Sequence, residues 1–325
     1  MVEPFRILCA EPQNYSERGL AQVARLAQLD SEVLSQAEFA LRAPEYDGLM
    51  VRLKLRVTDE IIGTSPRLRV IMSPTTGLDH IALEAACARK IEVLSLAGET
   101  EHLRTVSSTA EHTWALLLSL VRRIPWAFQA VRRNEWNQDR FRGHELSGKT
   151  LGIIGYGRLG KMVGQYGLGF QMRVLAYDPY IEITAEGVGR VETLDALLGA
   201  SDVLSVHVPL QKSTIGLIGP REIGLLPRGA VLINTSRGMI VDEGALLAAL
   251  KSGHLAGAAV DVLTDEPGIP EGRHPMVAYA RDHDNLLITP HIGGASAEAI
   301  ESTDLFVIGK FERWLGGREG RSGNV

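Results

Sequence analysis

Short apolar runs alternate with longer amphipathic segments along most of the chain. The runs predict strands at residues 5–9, 46–52, 68–72, 91–96, 151–154, 173–177, 203–208, 230–234, 258–262 and 286–289. The longer segments predict helices, of which the clearest cover residues 18–29, 109–123 and 297–315. Strands that alternate with helices indicate parallel sheets with helices on both faces. The expected fold class is therefore α/β.

A complete strand, turn, helix and strand unit is predicted between residues 149 and 179. Its first strand stops at Gly155, which begins a G-x-G-x-x-G pattern with Gly157 and Gly160. Such glycines permit a tight turn, the approach of a pyrophosphate to bare backbone, and close packing of the helix on the strand. The helix that follows has apolar residues at helical spacing, namely Leu159, Met162, Val163 and Tyr166. This unit is typical of a dinucleotide site.

The second strand of this unit ends at Asp178. A carboxylate at that position accepts hydrogen bonds from ribose hydroxyls and repels a 2′-phosphate, which favours NAD over NADP. The alternative is an ordinary turn residue before Pro179. The position at the end of the strand favours the ribose role.

Two domains are expected from the length of 325 residues. We place the boundaries so that residues 1–104 and 295–325 form a substrate domain and residues 105–294 form an NAD-binding domain. The first region has no glycine fingerprint, which is why we assign the substrate to it. The helix at 109–123 is expected to link the domains, and the helix at 297–315 to return to the first.

Composition and charge narrow the class of protein. Hydrophobic residues make up 45% and charged residues 22%, as in soluble globular proteins, and the net charge of −5 argues against a nucleic-acid partner. No apolar run has the length of a membrane span and no signal peptide is recognised, so a cytoplasmic protein is expected. Two cysteines in unrelated contexts are expected to be reduced. The histidines lack metal-ligand spacing, so no metal is expected.

Three predicted strand ends carry polar segments that are expected to meet, at residues 234–238, 261–267 and 290–294. Hydride transfer to a 2-oxo acid requires a guanidinium for the carboxylate, an imidazole to supply the proton, and an anion beside the imidazole. Arg237, His291 and Glu266 provide these groups. Singly, each is more typical of a solvated surface residue. If all three were surface residues, three separate loops would have to imitate a catalytic triad.

The chain also contains three longer motifs, ELSGKTLGIIGYGRLGK, NTSRGMIVDEGALLAALKSGHLAGAAVDV and TPHIGG. They resemble the D-isomer-specific 2-hydroxyacid dehydrogenases, and within them the phosphoglycerate dehydrogenase branch, and the resemblance covers about residues 48–300. It implies two doubly wound parallel-sheet domains, with a Rossmann NAD-binding domain inserted into a flavodoxin-like substrate domain. It also implies a homodimer that forms through the nucleotide domain.

The resemblance implies a role for individual residues. Arg237 corresponds to the substrate-binding arginine, His291 to the acid and base, and Glu266 to the partner of the histidine. The implied cofactor contacts are Gly155, Gly157, Arg158, Leu159, Gly160, Asp178, His207, Val208, Pro209, Thr235, Ser236, Asp261, Gly293 and Gly294. Within this set Asp261 is expected to face the nicotinamide amide.

Substrate contacts are expected from the first domain. The segment 73–77 corresponds to the carboxylate-binding loop of the family, which makes Thr75, Thr76 and Gly77 candidates. Ser73 stands where phosphoglycerate dehydrogenases often have arginine, which argues against phosphoglycerate as the substrate.

A stripe of cations is predicted next to this loop. In an extended chain Arg52, Lys54 and Arg56 would share one face and could receive a second anionic group of the substrate. The alternative is an edge strand protected by charge. In the longer segment 97–108, His102 or Arg104 could also reach the cleft.

Two other histidines are predicted to be structural. His112 lies within a helix and is expected to be far from any strand end, and the loop of His207 is expected to be nearer the cofactor than the substrate. The expected function is an NAD-dependent oxidoreductase that acts at C2 of a small D-2-hydroxy or 2-oxo acid, with 3-phosphoglycerate as a candidate. The alternatives are a glyoxylate or hydroxypyruvate reductase and an NAD-sensing binding protein that resembles a corepressor.

Overall fold

The computed structural model of the chain describes residues 4–266 and 273–322, with side chains up to residue 317. These residues form two compact units. Unit 1 combines the chain up to residue 106 with the chain from residue 295 onward, and unit 2 comprises residues 107–294. The chain thus leaves unit 1, forms unit 2 and returns to unit 1.

Unit 1 contains a sheet of five parallel strands, β1 (Arg6–Cys9), β2 (Gln28–Ser31), β3 (Gly48–Met50), β4 (Val70–Ser73) and β5 (Glu92–Ser95). Their order is β2-β1-β3-β4-β5, which is the flavodoxin-like order and reverses direction between β1 and β3. The connecting helices are α1 (Glu17–Leu26), α2 (Gln36–Arg42), α3 (Asp59–Thr64), α4 (Leu83–Ala88) and α5 (Thr100–Leu103).

Both faces of the unit 1 sheet are covered, which explains why the last three residues of β1 are all apolar. Ile7 and Cys9 belong to one buried cluster, whereas Leu8 belongs to the cluster on the opposite face. All three side chains are fully buried. A strand that is buried on both faces has no polar alternation, which is typical of parallel sheets.

Unit 2 contains seven parallel strands, β6 (Thr150–Ile154), β7 (Arg173–Tyr177), β8 (Val188–Arg190), β9 (Val203–Val206), β10 (Ala230–Asn234), β11 (Leu255–Val260) and β12 (Leu286–Ile288). Their order is β12-β11-β10-β9-β6-β7-β8, so the winding reverses between β6 and β9. This is the Rossmann order with one further strand. The predicted fold class is confirmed for both sheets.

The helices of unit 2 are α6 (Ser108–Val121), α7 (Ile124–Arg132), α8 (Arg158–Gly169), α9 (Leu194–Ala200), α10 (Pro220–Leu225), α11 (Glu243–Lys251) and α12 (Pro275–Asp282). Helix α8 packs closely on β6 and β7 because it presents glycines to them. A Cβ atom at Gly167 would lie 2.8 Å from Leu151 and 3.1 Å from Val174. Short 3₁₀ helices occur at Pro12–Asn14, Ala43–Glu45, Gln138–Phe141 and Gly238–Ile240.

The last helix, α13 (Ala297–Ser322), belongs to unit 1 and packs against α1, β4 and β5. Phe311 on its inner face is fully buried. The helix continues to Ser322, beyond residue 315 where we predicted it to end. Within the described parts of the chain, no helix combines the length and the hydrophobicity that crossing a bilayer would require.

Two strands were missed by the hydrophobic pattern, and both lie at sheet edges. β2 begins at Gln28, at the end of the segment 18–29 that we predicted to be helical, and β8 has the sequence VGR. Edge strands pair on one side only and are often short and polar, so they carry no apolar run. The predicted strand at 46–52 also ends earlier than expected, at Met50.

Candidate active site

The glycine turn of unit 2 lies where the strand order reverses. Ile154 at the end of β6 pairs with Tyr177 on one side and Val206 on the other. Gly155 then adopts a φ of +85°, and a Cβ there would lie 2.6 Å from the carbonyl oxygen of His207. A Cβ at Gly160 would lie 2.1 Å from the Gly155 oxygen. Both glycines are therefore required by packing within the protein.

Gly157 differs from its two neighbours in the motif. It has an ordinary φ of −74° as the N-cap of α8, and a Cβ there would meet no protein atom within 4 Å. Packing in the protein does not explain this glycine, whereas a phosphate bound at the free N–H groups of the helix would. Arg158 and Leu159 are the first residues of α8. The turn thus fits the pyrophosphate of a dinucleotide.

The carboxylate of Asp178 is directed at the glycine turn. Its Oδ2 accepts a hydrogen bond of 2.8 Å from the backbone of Tyr156, and its Oδ1 accepts bonds from the backbones of Tyr180 and Ile181. It therefore ties the end of β7 to the turn. Its contact with ribose hydroxyls stays a prediction.

The loop after β9 contains the predicted cofactor residues His207, Val208 and Pro209. His207 Nε2 lies 2.8 Å from Ser205 Oγ, and burial lowers the pKa of His207 to about 4. The ring is therefore neutral near pH 7. Val208 packs close to Gly155, and the Pro209 carbonyl accepts a hydrogen bond from Thr214. This loop encloses the glycine turn from the opposite side to Asp178.

A compact turn after β10 carries Arg237. The side chain of Asn234 holds it, because its Oδ1 accepts bonds from the N–H and hydroxyl of Ser236 and its Nδ2 donates to the Arg237 carbonyl. Thr235 Oγ1 lies 2.8 Å from Thr113 Oγ1 on α6. The Arg237 guanidinium donates to the Ser236 carbonyl at 2.8 Å.

Gly238 joins this turn to the loop that carries Glu266. A Cβ at Gly238 would lie 2.1 Å from the Leu263 carbonyl carbon and 2.4 Å from the Thr264 nitrogen. The Leu263 N–H donates to Glu266 Oε1, and the Thr264 N–H donates to Glu243 Oε1 on α11, both at 2.7 Å. The two loops therefore touch, backbone to backbone. Pro267, the last residue of the predicted segment, lies outside the described residues.

Glu266 and His291 form the central hydrogen-bonded pair of the site. Glu266 Oε2 lies 2.6 Å from His291 Nδ1, and the two side chains are 28% and 22% exposed. An ionised carboxylate only accepts hydrogen bonds, so Nδ1 carries the hydrogen and donates. This arrangement fixes the ring and leaves Nε2 as the atom that can give or take a proton. Of the predicted triad, these two members are bonded directly, and Arg237 lies on the adjoining turn.

Asp261 holds the loop of His291 by its carboxylate. Oδ1 accepts bonds from Thr289 Oγ1 and the Ile292 N–H, and Oδ2 accepts one of 2.7 Å from the Gly293 N–H. Burial by itself raises the pKa of Asp261, but the hydrogen bonds it accepts keep that pKa below the ordinary value. Its contact with the nicotinamide stays a prediction, as does that of Gly294.

His112 is closer to these groups than expected. Its Nε2 lies 3.1 Å from Asp261 Oδ1 and 3.0 Å from Thr289 Oγ1, at the carboxyl ends of β11 and β12. The expectation that His112 lies far from any strand end is therefore wrong. Periodicity places a residue on a face of a helix, but it does not say which strand end that face meets.

In unit 1 the predicted substrate loop follows β4. Thr75 Oγ1 donates to the Gly77 carbonyl at 2.8 Å and lies 2.9 Å from Ser73 Oγ, while Thr76 is exposed. Ser73 Oγ also lies 3.0 Å from His80 Nε2, and both of these residues are buried. The sequence did not single out His80. It anchors the start of the loop through Ser73.

The predicted stripe of Arg52, Lys54 and Arg56 is not formed as an extended face. The chain bends at residues 53–55 beyond β3, so the expectation of an extended segment there is wrong. Arg52 Nη2 pairs with Asp304 Oδ1 at 2.5 Å, and its side chain is only 14% exposed. Lys54 and Arg56 are exposed. Arg52 therefore reaches α13, with a partner too distant in sequence for a pattern to reveal.

His102 also contacts α13. Its ring stacks on Phe306 with centroids 4.0 Å apart, and its Nε2 lies 3.4 Å from Ser302 Oγ. Arg104 pairs with Glu101 on the surface. In unit 1 both side chains thus contact neighbours other than the predicted substrate loop.

Comparison with known proteins identifies the family. Residues 114–293 match the profile described as D-isomer specific 2-hydroxyacid dehydrogenase, NAD binding domain. The chain belongs to this family. The matched residues lie in unit 2 and include the glycine turn, Arg237, Glu266 and His291. Unit 2 is thus the NAD-binding domain of a family member, and NAD is the cofactor.

Relatives and solved structures agree with this assignment. The chain is 38% identical over 300 residues to D-3-phosphoglycerate dehydrogenase of Archaeoglobus fulgidus, and this match covers 91% of the chain and 54% of that protein. It is 38% identical over 257 residues to the enzyme of that name from Bacillus subtilis, and this match covers 78% of the chain and 46% of that protein. The chain thus spans about half the length of these relatives. D-lactate dehydrogenase of Aquifex aeolicus complexed with NAD and lactic acid has a TM-score of 0.81, 30% identity and 96% coverage of both chains.

Proposed function

We propose that this chain is an NAD-dependent dehydrogenase that transfers a hydride between nicotinamide and C2 of a small D-2-hydroxy acid or 2-oxo acid. D-3-phosphoglycerate is the first candidate substrate, because relatives that match most of this chain carry that name. The comparisons do not favour the two alternatives, a glyoxylate or hydroxypyruvate reductase and a corepressor-like binding protein.

The hydrogen bond between His291 and Glu266 carries the proposal. A dehydrogenase that acts on alcohols and ketones must move one proton for every hydride. An imidazole is suited to that role near neutral pH, provided that its tautomer is fixed. The bond of 2.6 Å from Nδ1 to Glu266 fixes the tautomer and stabilises the imidazolium.

The residues act together in the following way. Bound NADH supplies the hydride. The imidazolium of His291 donates the proton on Nε2 to the substrate oxygen, while Glu266 stabilises the positive charge until the proton leaves. In the oxidative direction neutral His291 accepts that proton. Arg237 binds the substrate carboxylate through the two parallel N–H groups of its guanidinium.

We assign the two domains different tasks in this reaction. Residues 105–294 form the NAD-binding domain, and residues 1–104 with 295–325 form the substrate domain. The loop of Thr75, Thr76 and Gly77 binds the substrate acid. This assignment is supported by the position of the loop at the carboxyl end of β4, since ligands of open α/β sheets bind at that edge.

A panel of 2-oxo acids assayed by NADH absorbance tests the activity. We expect NADH oxidation with at least one acid of the panel. His291→Ala should lower kcat by several orders of magnitude while NADH still binds, because the imidazole acts in the chemical step. An active His291→Ala enzyme would contradict the assignment of the acid and base.

A second experiment tests whether the substrate carries a phosphate group that Arg52 binds. Arg52→Ala is assayed with a phosphorylated and an unphosphorylated 2-oxo acid. A loss confined to the phosphorylated acid would support a contact between Arg52 and phosphate. An equal loss on both acids would show instead that Arg52 acts through its pair with Asp304. Arg18→Ala is the matched control, because Arg18 pairs with Glu301 on the same helix α13 but is exposed.

We further propose a homodimer that forms through unit 2. Apolar side chains are exposed along and after α7, with Ile124 at 52%, Phe128 at 62%, Val131 at 50% and Trp136 at 89%. A second copy of the chain would remove this surface from water. Light scattering should show a dimer that Phe128→Glu dissociates. Leu41→Glu in unit 1, where Leu41 is 78% exposed, should leave the dimer intact.

We also propose a cytoplasmic location. Cys9 and Cys87 are free thiols, as is typical of proteins in a reducing compartment. Fractionation of cells that express the chain, with a cytoplasmic marker enzyme as reference, tests this location.

A further inference from the structure

His112 connects helix α6 to two neighbouring strand ends of unit 2. Its side chain is 16% exposed, and its Nε2 lies within hydrogen-bond distance of both Asp261 and Thr289. Asp261 directly follows β11, and Thr289 directly follows β12. One imidazole therefore connects the two strand ends that lead into the loop of His291.

The hydrogen bonds of the neighbours define the role of Nε2. Thr289 Oγ1 donates its single hydrogen to Asp261 Oδ1 at 2.6 Å, so toward His112 it can only accept. The ionised carboxylate of Asp261 also only accepts. Nε2 of His112 must therefore carry a hydrogen and share it between these two oxygens. Because this hydrogen is committed, His112 is not a second proton donor to the substrate.

The group that His112 contacts holds the backbone of His291. The Asp261 carbonyl accepts a hydrogen bond of 2.9 Å from the His291 N–H, and its carboxylate accepts the N–H groups of Ile292 and Gly293. His291 itself has a φ of +54°. A residue with a side chain rarely adopts this left-handed conformation and keeps it only where its surroundings hold it.

We propose that His112 is a positioning residue for the hydride-transfer reaction. Its Nε2 hydrogen orients the Asp261 carboxylate and the Thr289 hydroxyl, which together hold His291 in the left-handed conformation that presents its ring to the substrate and to Glu266. This inference rests on the proposed dehydrogenase function. It adds a residue on α6 that acts on His291 through Asp261 and Thr289.

Two polar substitutions separate the hydrogen bond from the bulk of the ring. In His112→Gln the amide nitrogen can occupy about the position of Nε2, whereas in His112→Asn it reaches only about the position of Nδ1. We expect His112→Asn to lower kcat by about 10- to 100-fold, the usual effect of losing a hydrogen bond to a charged group. His112→Gln should restore kcat to within about 3-fold of the wild type.

Hydrogen exchange of the backbone amides provides a readout that does not depend on activity. In His112→Asn the amides of His291, Ile292 and Gly293 should exchange faster than in the wild type, and in His112→Gln they should be protected again. If the wild type reduces no 2-oxo acid, the proposed function fails, but this exchange measurement still tests whether His112 holds the loop.

His254→Asn is the matched control. His254 Nε2 also makes one hydrogen bond, to the Ile223 carbonyl, but it precedes β11 and thus lies at the opposite edge of the sheet. This variant should keep wild-type kcat and wild-type exchange in the loop of His291. Equal kcat in wild type and His112→Asn would overturn the proposal. So would equal losses in the Asn and Gln variants, or unchanged exchange at residues 291–293.

Discussion

Gly238→Ala tests whether contact between two backbone segments sets the catalytic geometry. The added Cβ would lie 2.1 Å from the Leu263 carbonyl carbon, whereas ordinary contact begins at 3.4 Å. Neither neighbour is a flexible side chain, because the nearest atoms belong to the backbone of Leu263 and Thr264. The turn of Arg237 and the loop of Glu266 must therefore separate by about 1 Å, the overlap that a Cβ cannot relieve by rotation.

The expected loss follows from this displacement. The Leu263 N–H is bonded to Glu266 Oε1, so a shift of the loop moves the carboxylate away from His291 or breaks that bond. A misplacement of about 1 Å in a catalytic group can cost about 100-fold in rate. We therefore expect kcat/KM of Gly238→Ala to fall by about 100-fold. Overpacking should also lower the free energy of unfolding by about 1–3 kcal/mol.

Kinetics with NADH and the best 2-oxo acid of the panel measure this effect. Gly224→Ala is the control, because a Cβ at Gly224 in α10 would meet no atom within 4 Å. NADH fluorescence titration should show unchanged binding to Gly224→Ala, and for Gly238→Ala it separates any effect on the predicted cofactor contacts Thr235 and Ser236 from the effect on kcat. A Gly238→Ala enzyme with kcat/KM within about 3-fold of the control would refute the argument, since a 1 Å displacement should cost far more.

Three further predictions concern the same domain. Glu266→Gln should shift the pH profile of turnover to lower pH, because the imidazolium of His291 loses its anion; an unchanged profile would contradict the pairing. Gly157→Ala should weaken NADH binding by about 10-fold or more without lowering Tm, whereas Gly160→Ala should lower Tm, because only the Cβ of the second meets protein. The folded-state pKa of His207, about 4, lies below its ordinary 6.5, so the unfolded chain binds the proton first as pH falls. Between those pH values the free energy of unfolding of the wild type should fall by at most about 3 kcal/mol more than that of His207→Asn. Measuring Tm against pH for both proteins tests this difference.

Local sequence determined the elements that depend on near neighbours. The glycine turn, the strands that are buried on both faces and the polar strand ends were each recognisable within a short segment. Gly155 and Gly160 follow from the turn itself, because Gly155 has a positive φ and Gly160 packs against the Gly155 carbonyl. The pairing of Glu266 with His291 was also predictable, because parallel strands bring their carboxyl ends to one edge.

Residues that act between distant segments were not recognisable in this way. Arg52 pairs with Asp304, and His112 contacts Asp261 and Thr289, although each pair is widely separated in the chain. Helical periodicity predicts that such a side chain is on an inner face but not which strand end it meets. His80 beside Ser73 was missed for the same reason, since nothing in the local pattern indicates a partner.

The amino-acid sequence alone thus determined the class of fold, the cofactor and the chemical types of the candidate catalytic groups, since those depend on periodicity and on local backbone chemistry. Tertiary structure alone decided which polar groups satisfy one another. A buried donor or acceptor must find a partner wherever the packed elements bring one within reach. That requirement makes Asp261 the anchor of the His291 loop and commits His112 to hold it.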